Sequence, residues 1–420
     1  GIEWVGWSLA LYEIGSIVFG ALGGLIASRR GVGFAVGLSA AAFGAGCVLS
    51  GLADSMGVFL LDRGVQGAGG GAMVALCHIA VTRAFPERHW TRIYAVVSAV
   101  WGASALVGPL VGGLFAEAGI WRWAYYSFAI QAVAVVLMAP RLLGRRERAQ
   151  AGRGRGGPGE KPVDARVPWA ALAVLTPAVL AIAAAGVTES SALAALAVVA
   201  GAAMMAWFLR LDRGAPNALL PHGSLRRPRV AAGLVLVLAF STATTSFTLY
   251  GPLLMAGLHG IGPLTAGYLV AVESVAWSLA ALAVSGVGPA GEGRWLRTGA
   301  LCIVVGIGSF ALTVPQGPVW AIGLSALLTG GGFGFIWSFL VRRMVAASLA
   351  GERERTAGAV PVLQMLGYAL GAAFAGIVAN AQVLGEEQGP GDLAPIALWL
   401  FLAFLPLTLI GLAAAFRVAR

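Results

Sequence analysis

Glu13 and Glu273 are the two residues of this chain best suited to chemistry. Each carboxyl interrupts a long apolar stretch, residues 4–27 for Glu13 and 264–286 for Glu273. Each lies nine residues past the outer end of its stretch, about 13 Å along a helix. A carboxyl withdrawn from water resists ionisation, so it binds and releases a proton instead of standing as a fixed charge. Fifteen residues separate Glu13 from Ser28, and fifteen separate Glu273 from Gly288, where polar loops begin. Two carboxyls at matching depths in two halves of a membrane chain are placed for proton coupling. Glu13 also shares a helix face with Ser16, Gly20 and Gly23. The competing reading of each acid is a structural, hydrogen-bonded Glu.

Other polar and aromatic residues inside apolar stretches are candidates for lining a cavity. Arg63 sits about 9 Å inside its stretch, where a charge needs a wet cavity or a partner. Its neighbour Asp62 points about 100° away around the helix and is not expected to pair with it. Gln66, Thr242, Thr245, Tyr250 and Gln364 are polar groups at membrane depth. Hydroxyls of this kind also bond their own helix backbone. Trp101, Trp277 and Trp337 fall mid-stretch, away from the interfacial belts, and either stack on an aromatic ligand or fill core.

Composition dictates the elements that hold these residues. Hydrophobic residues make up 59% of the 420 and charged residues only 11%, and the mean hydropathy is +0.85. A soluble fold needs more surface charge, and a disordered chain has the opposite balance. An all-α polytopic membrane protein remains. Thirteen apolar segments appear, near 4–27, 33–53, 57–82, 90–116, 121–139, 168–186, 191–209, 230–255, 264–286, 297–314, 318–344, 356–380 and 394–416. Residues 140–167 carry a run of Arg broken by Gly and Pro and read as a solvated linker; 210–229 reads as a basic loop. The expected division is 1–139, linker 140–167, a helix pair 168–209, loop 210–229, and 230–420.

The net charge of +10 follows topology. With residues 28–32 in the cytoplasm, all of the 28 basic residues except Arg63 and Arg122 fall in cytoplasmic segments. That places the C-terminus inside and residue 1 outside, and it argues against a nucleic-acid partner. The implied location is a bacterial inner membrane. A chain that starts outside, and with Gly1, is expected to be preceded by one further helix.

Three motifs support that arrangement. The first apolar segment ends in Gly24-Leu25-Ile26-Ala27-Ser28-Arg29-Arg30-Gly31. Arg63-Gly64-Val65-Gln66-Gly67 follows, and then Gly108-Pro109-Leu110-Val111-Gly112-Gly113. In order and spacing these resemble signature motifs of the major facilitator superfamily. The first resembles its cytoplasmic gate loop, here Ser28, Arg29 and Gly31. The third resembles the motif of its antiporter branch, here Gly108, Pro109, Gly112 and Gly113. The helix pair at 168–209 and the loop Pro216-Asn217-Ala218-Leu219-Leu220-Pro221 resemble the fourteen-helix drug:proton antiporters. The resemblance implies two six-helix halves around a two-helix insert, with thirteen helices visible here. It further implies alternating-access export of a small amphipathic compound against protons, by a monomer in contact with membrane lipid. The family's usual Asp is replaced by Ser28, which removes a member of its cytoplasmic charge network.

Enzyme chemistry has no foothold. No G-x-x-x-x-G-K-[ST], G-x-S-x-G or H-E-x-x-H occurs. Cys47, Cys77 and Cys302 stand alone in apolar segments, so no metal site, disulfide or cofactor is expected. Two other functions fit the same fold: a lipid transporter, and a proton-coupled nutrient importer.

Overall fold

The computed structural model describes residues 3–84, 90–151, 168–186, 188, 190–215, 218–349, 352–384 and 393–420. Thirteen α-helices and no strand occur among them. They are α1 (Glu3–Arg30), α2 (Val32–Leu52), α3 (Met56–Ala84), α4 (Trp90–Glu117), α5 (Arg122–Ala151), α6 (Trp169–Ala185) and α7 (Ser191–Gly214). Then follow α8 (Pro228–His259), α9 (Pro263–Ala283), α10 (Pro289–Gln316), α11 (Val319–Ala347), α12 (Arg353–Leu384) and α13 (Leu393–Ala419). Eleven are long and apolar enough to cross a membrane. Helix α6, with 17 residues, falls short of that length.

The helices overrun several apolar segments. Helix α5 continues to Ala151, so the first part of the expected linker is helical; residues 152–167 lie outside the described residues. Pro140 does not stop it. Helix α10 starts at Pro289 and takes in Arg294 and Arg297, which read as loop residues in sequence. Its basic first turns need no apolar face, because a helix end beyond the bilayer is stabilised by its own backbone bonds. Starts and stops follow local chemistry. Pro228, Pro263 and Pro289 occupy first-turn positions, where a missing N–H costs nothing. Gly260, at φ 62°, closes α8 in the left-handed region open to glycine.

The chain divides into two compact units. One comprises Gly1–Ala10, Gly102–Ala118 and Val174–Arg420; the other comprises Leu11–Trp101 and Gly119–Ala173. In the larger unit α8 is the most enclosed helix and carries Phe240, Phe247, Leu254 and Met255 at 1% exposure or less. Phe247 stacks on Phe310 with ring centroids 4.0 Å apart, and Phe310 meets Phe401 at 5.4 Å. From Val174 onward the α6–α7 pair belongs to this unit: Gly186, just beyond α6, lies against Gly376 of α12, and Gly201 of α7 lies against Ile182 of α6. In the smaller unit α2 packs on α3 and α5.

Both units use one device. A side chain on Gly67 of α3 would overlap the Tyr12 backbone of α1, and one on Gly71 would overlap Ser16. In the other unit, a side chain on Gly330 of α11 would overlap the Glu273 backbone of α9, and one on Gly334 would overlap Trp277. Two glycines one helical turn apart let two backbones touch, which is how helices gain packing contact where lipid supplies no hydrophobic drive.

On the loop side of the larger unit, two carboxylates tie down residues 218–224. Asp212 accepts from the backbone N–H groups of Leu219 (2.7 Å) and Leu220 (3.0 Å) and meets His222 Nε2 at 2.8 Å. Glu352 accepts from the N–H groups of Gly223 (3.0 Å) and Ser224 (2.5 Å). Pro216 and Asn217 lie outside the described residues. Partial burial pushes the Glu352 carboxyl up, but the hydrogen bonds from Ser224 and Gly223, with Arg355 nearby, outweigh this and hold it below its ordinary value. Its contribution is therefore complete above the ordinary carboxylate range and is lost as pH falls through the lowered value.

Two predictions follow from these contacts. Gly67→Ala and Gly330→Ala each lower stability by about 1–3 kcal/mol, the usual cost of overpacking. Gly64→Ala and Gly331→Ala, which meet nothing within 4 Å, leave the thermal midpoint in detergent unchanged. The Gly223 and Ser224 amides are protected from hydrogen exchange at neutral pH, relative to their intrinsic rates, and lose that protection in acid; Glu352→Ala removes it at neutral pH.

Candidate functional site

The two acids that open the sequence reading are both buried. Glu13 on α1 and Glu273 on α9 are each 8% exposed. Their surroundings differ. Glu273 accepts hydrogen bonds from the Thr244 and Thr248 hydroxyls of α8, the second at 3.5 Å. Those threonines are one turn apart and face the acid together. Glu13 receives no hydrogen bond from a described residue.

The glycine contacts refine the match between the halves. Gly67 touches Tyr12 where Gly330 touches Glu273, and Gly71 touches Ser16 where Gly334 touches Trp277. By this register the counterpart of Glu273 is Tyr12, and the counterpart of Glu13 is Ser274. The depths expected to coincide differ by one residue, about 1.5 Å of rise and 100° of rotation. The two carboxyls therefore point from different faces of equivalent helices. Counting residues to a loop could not resolve this, because the loops of the two halves differ in length.

Arg63 and Gln66 come together. Arg63 Nη1 donates to Gln66 Oε1 at 2.6 Å, and Nη2 reaches the Tyr125 hydroxyl of α5 at 3.4 Å. The guanidinium also lies over the Phe59 ring at 5.3 Å and the Tyr125 ring at 5.6 Å. Gln66, 2% exposed, donates to Ser50 Oγ and, at 3.3 Å, to the Gly46 carbonyl of α2. Ser50 donates to Asp62 at 2.6 Å. Asp62 and Arg63 do not pair, as their angular separation predicts. The sequence reading missed Ser50, Tyr125, Thr244 and Thr248 as partners. Only the one-turn spacings, Asp62 to Gln66 and Thr244 to Thr248, were visible along the chain.

The remaining candidates are dispersed. Thr242 and Thr245 donate to the carbonyls of Leu238 (2.7 Å) and Ser241 (3.0 Å) on their own helix. Tyr250 is buried in the core of the larger unit. Trp277 stacks on Phe333 with centroids 5.1 Å apart and meets Trp337 at 5.3 Å, so this pair fills an aromatic cluster. Trp101 is 63% exposed and fills no core. Gln364 donates to the Tyr368 hydroxyl at 2.8 Å. Near the loop ends of α10 and α11, Glu292 pairs with Arg342 and, at 3.6 Å, with Arg343. No metal-binding cluster occurs among the described residues.

Thirteen helices with paired glycine crossings in two units, and a buried acid on the equivalent helix of each, call for comparison with known transporters. The chain matches the Major Facilitator Superfamily over residues 3–372. It belongs to that family. It is accordingly a multi-pass membrane transporter and not an enzyme. It is 29% identical over 422 residues to a Mycobacterium tuberculosis protein named a probable multidrug-efflux transporter, covering 99% of this chain and 86% of that relative. The multidrug efflux pump SdrM of Staphylococcus aureus is 28% identical over 128 residues, 30% of this chain and 29% of the pump. The nucleoside transporter NupG shares the fold, with a TM-score of 0.65 at 11% identity over 99% of this chain and 91% of NupG. The xylose transporter XylE from E. coli does so at 0.61 and 18%, over 99% of this chain and 87% of XylE.

The superfamily motifs can now be placed. Gly108-Pro109 and Gly112-Gly113 lie within α4, which stays helical through them. Close approach occurs at Gly113, where a side chain would strike Leu264 of α9; Gly108 and Gly112 face open space. Ser28 lies in the last turn of α1 with its side chain outside the described residues; Arg29 and Arg30 are exposed. Gly31, at φ 90°, turns the chain into α2.

The Glu273 contacts carry a stability prediction. Thr244→Val leaves a buried acid short of a donor and costs about 1–3 kcal/mol. Thr245→Val removes only a bond to its own helix and costs less than about 1 kcal/mol. Thermal unfolding in detergent separates the two; equal effects would mean that the Thr244–Glu273 bond contributes nothing.

Proposed function

We propose that this transporter exports small amphipathic, drug-like compounds in exchange for protons, by alternating access. The observation that carries the reading is a buried carboxyl on the equivalent membrane helix of each unit, Glu13 and Glu273. Neither makes an ion pair among the described residues. A buried acid without a cation beside it is a proton carrier rather than a structural charge. Export is supported by the relatives named for multidrug efflux, one of which matches along nearly the whole chain.

In this reading a proton from the outer side loads Glu13 or Glu273 and competes with the compound. Its release inside resets the cycle. Thr244 and Thr248 hold the Glu273 carboxyl in place. Candidates for contact with an apolar, ring-bearing compound are, in the larger unit, the Trp277–Trp337 pair and Gln364 and, taken separately in the smaller unit, Trp101. The protein works as a monomer in a bacterial inner membrane, with its C-terminus in the cytoplasm, in contact with lipid and with no nucleic acid or cofactor.

Everted vesicles with an acid interior test this directly. Adding cationic, neutral or lipid-like compounds to the outside triggers proton release from wild-type vesicles. Glu13→Gln and Glu273→Gln vesicles contain folded protein and release none. Release unchanged in both variants removes the coupling role. Release triggered only by lipid-like compounds makes the protein a lipid transporter.

A further inference from the structure

Asp62 has no part in the function proposed above, yet it is the most enclosed acid of its unit among the described residues. It lies six residues into α3, about 9 Å along the helix, and is 1% exposed. One carboxyl oxygen, Oδ1, accepts from Ser50 Oγ at 2.6 Å and from Gln66 Nε2 at 3.5 Å. The other, Oδ2, is buried with no hydrogen-bond partner.

An ionised carboxylate in this position needs a cation. Arg63 is the sole cation among the described groups that act on it, and Arg63 is engaged elsewhere. Its two terminal nitrogens are directed to Gln66 and Tyr125, and its face covers Phe59 and Tyr125. Its Nε is buried and, like Asp62 Oδ2, has no partner. The other titratable groups nearby are Cys47 from α2 and Tyr125 from α5, with Tyr12 from α1 reached through Arg63. A thiol or a phenol carries no positive charge, so none of the three offers compensation. A buried anion with an unmet oxygen costs far more than a neutral acid in the same place.

We propose that Asp62 is a proton-binding site additional to Glu13 and Glu273. It holds a proton on Oδ2 in the arrangement described and gives that proton to water in alkali, while Ser50 and Gln66 keep Oδ1 fixed. The site stands independently of the exported compound.

Infrared difference spectroscopy of the purified full chain tests it, with no substrate or gradient. Wild-type minus Asp62→Asn spectra show a protonated-carboxyl C=O band in neutral buffer that disappears in alkali. Absence of that band overturns the proposal. Should Asp62→Asn fail to fold, the wild-type protein carries the test alone. Dicyclohexylcarbodiimide, which attacks buried protonated carboxyls, modifies the peptide containing Asp62 at neutral pH, and the modification falls severalfold in alkali. An Asp62 peptide left unmodified, or modified equally at every pH, overturns the proposal. Failure of vesicle export to depend on protons removes the reading of Glu13 and Glu273 but leaves the Asp62 signal unchanged.

Discussion

Every polar group on a membrane-spanning helix must find its partner inside the protein, because lipid offers none. The arrangement of this transporter follows from that constraint. Most hydroxyls of α8 meet it at once by bonding the carbonyl one turn back, as Thr242, Thr245, Ser246 and Thr248 do. Carboxyls and guanidinium groups have no such local solution. Glu273 draws Thr244 and Thr248 toward it, and Arg63 collects Gln66 and Tyr125 from two helices. The constraint is only partly met at Glu13, which has no hydrogen bond from a described residue, and at Asp62 Oδ2.

Close packing of backbones sets where these groups end up. The glycine pairs Gly67/Gly71 and Gly330/Gly334 define equivalent crossings in the two units. The same crossing puts Tyr12 in one unit where Glu273 stands in the other. One residue of offset gives the two acids different faces and different partners. A duplicated fold thus carries two non-equivalent carboxyls, one hydrogen-bonded and one with no hydrogen bond from a described residue. Charge pairing diverges as well: Glu292 has Arg342 and Arg343 at the loop end of α10 and α11, while α1 has Ser28 where the family's acid is expected.

Composition and segment length were enough to establish the membrane class and all thirteen helices, since about 20 apolar residues can hardly do anything else. The motifs around Arg63 and Gly108 were enough to indicate the family. Glu13 and Glu273 stood out for the same reason, because an acid in an apolar run is conspicuous whatever surrounds it. Helix ends were less legible: α5 and α10 continue past their apolar stretches, where hydrophobicity no longer marks the helix.

Partnership was decided in three dimensions. Ser50 lies on α2, 12 residues from Asp62, and Tyr125 on α5, 62 residues from Arg63, and neither residue type announces such a role. Trp101 and Trp277 looked alike as mid-segment tryptophans, yet one is exposed and the other is stacked in a cluster. Which face of a helix meets its neighbour depends on where the backbones can touch, and that rests on contacts between helices whose registers no single helix encodes. An apolar run specifies that a helix crosses the membrane; only packing specifies what each of its polar residues will meet.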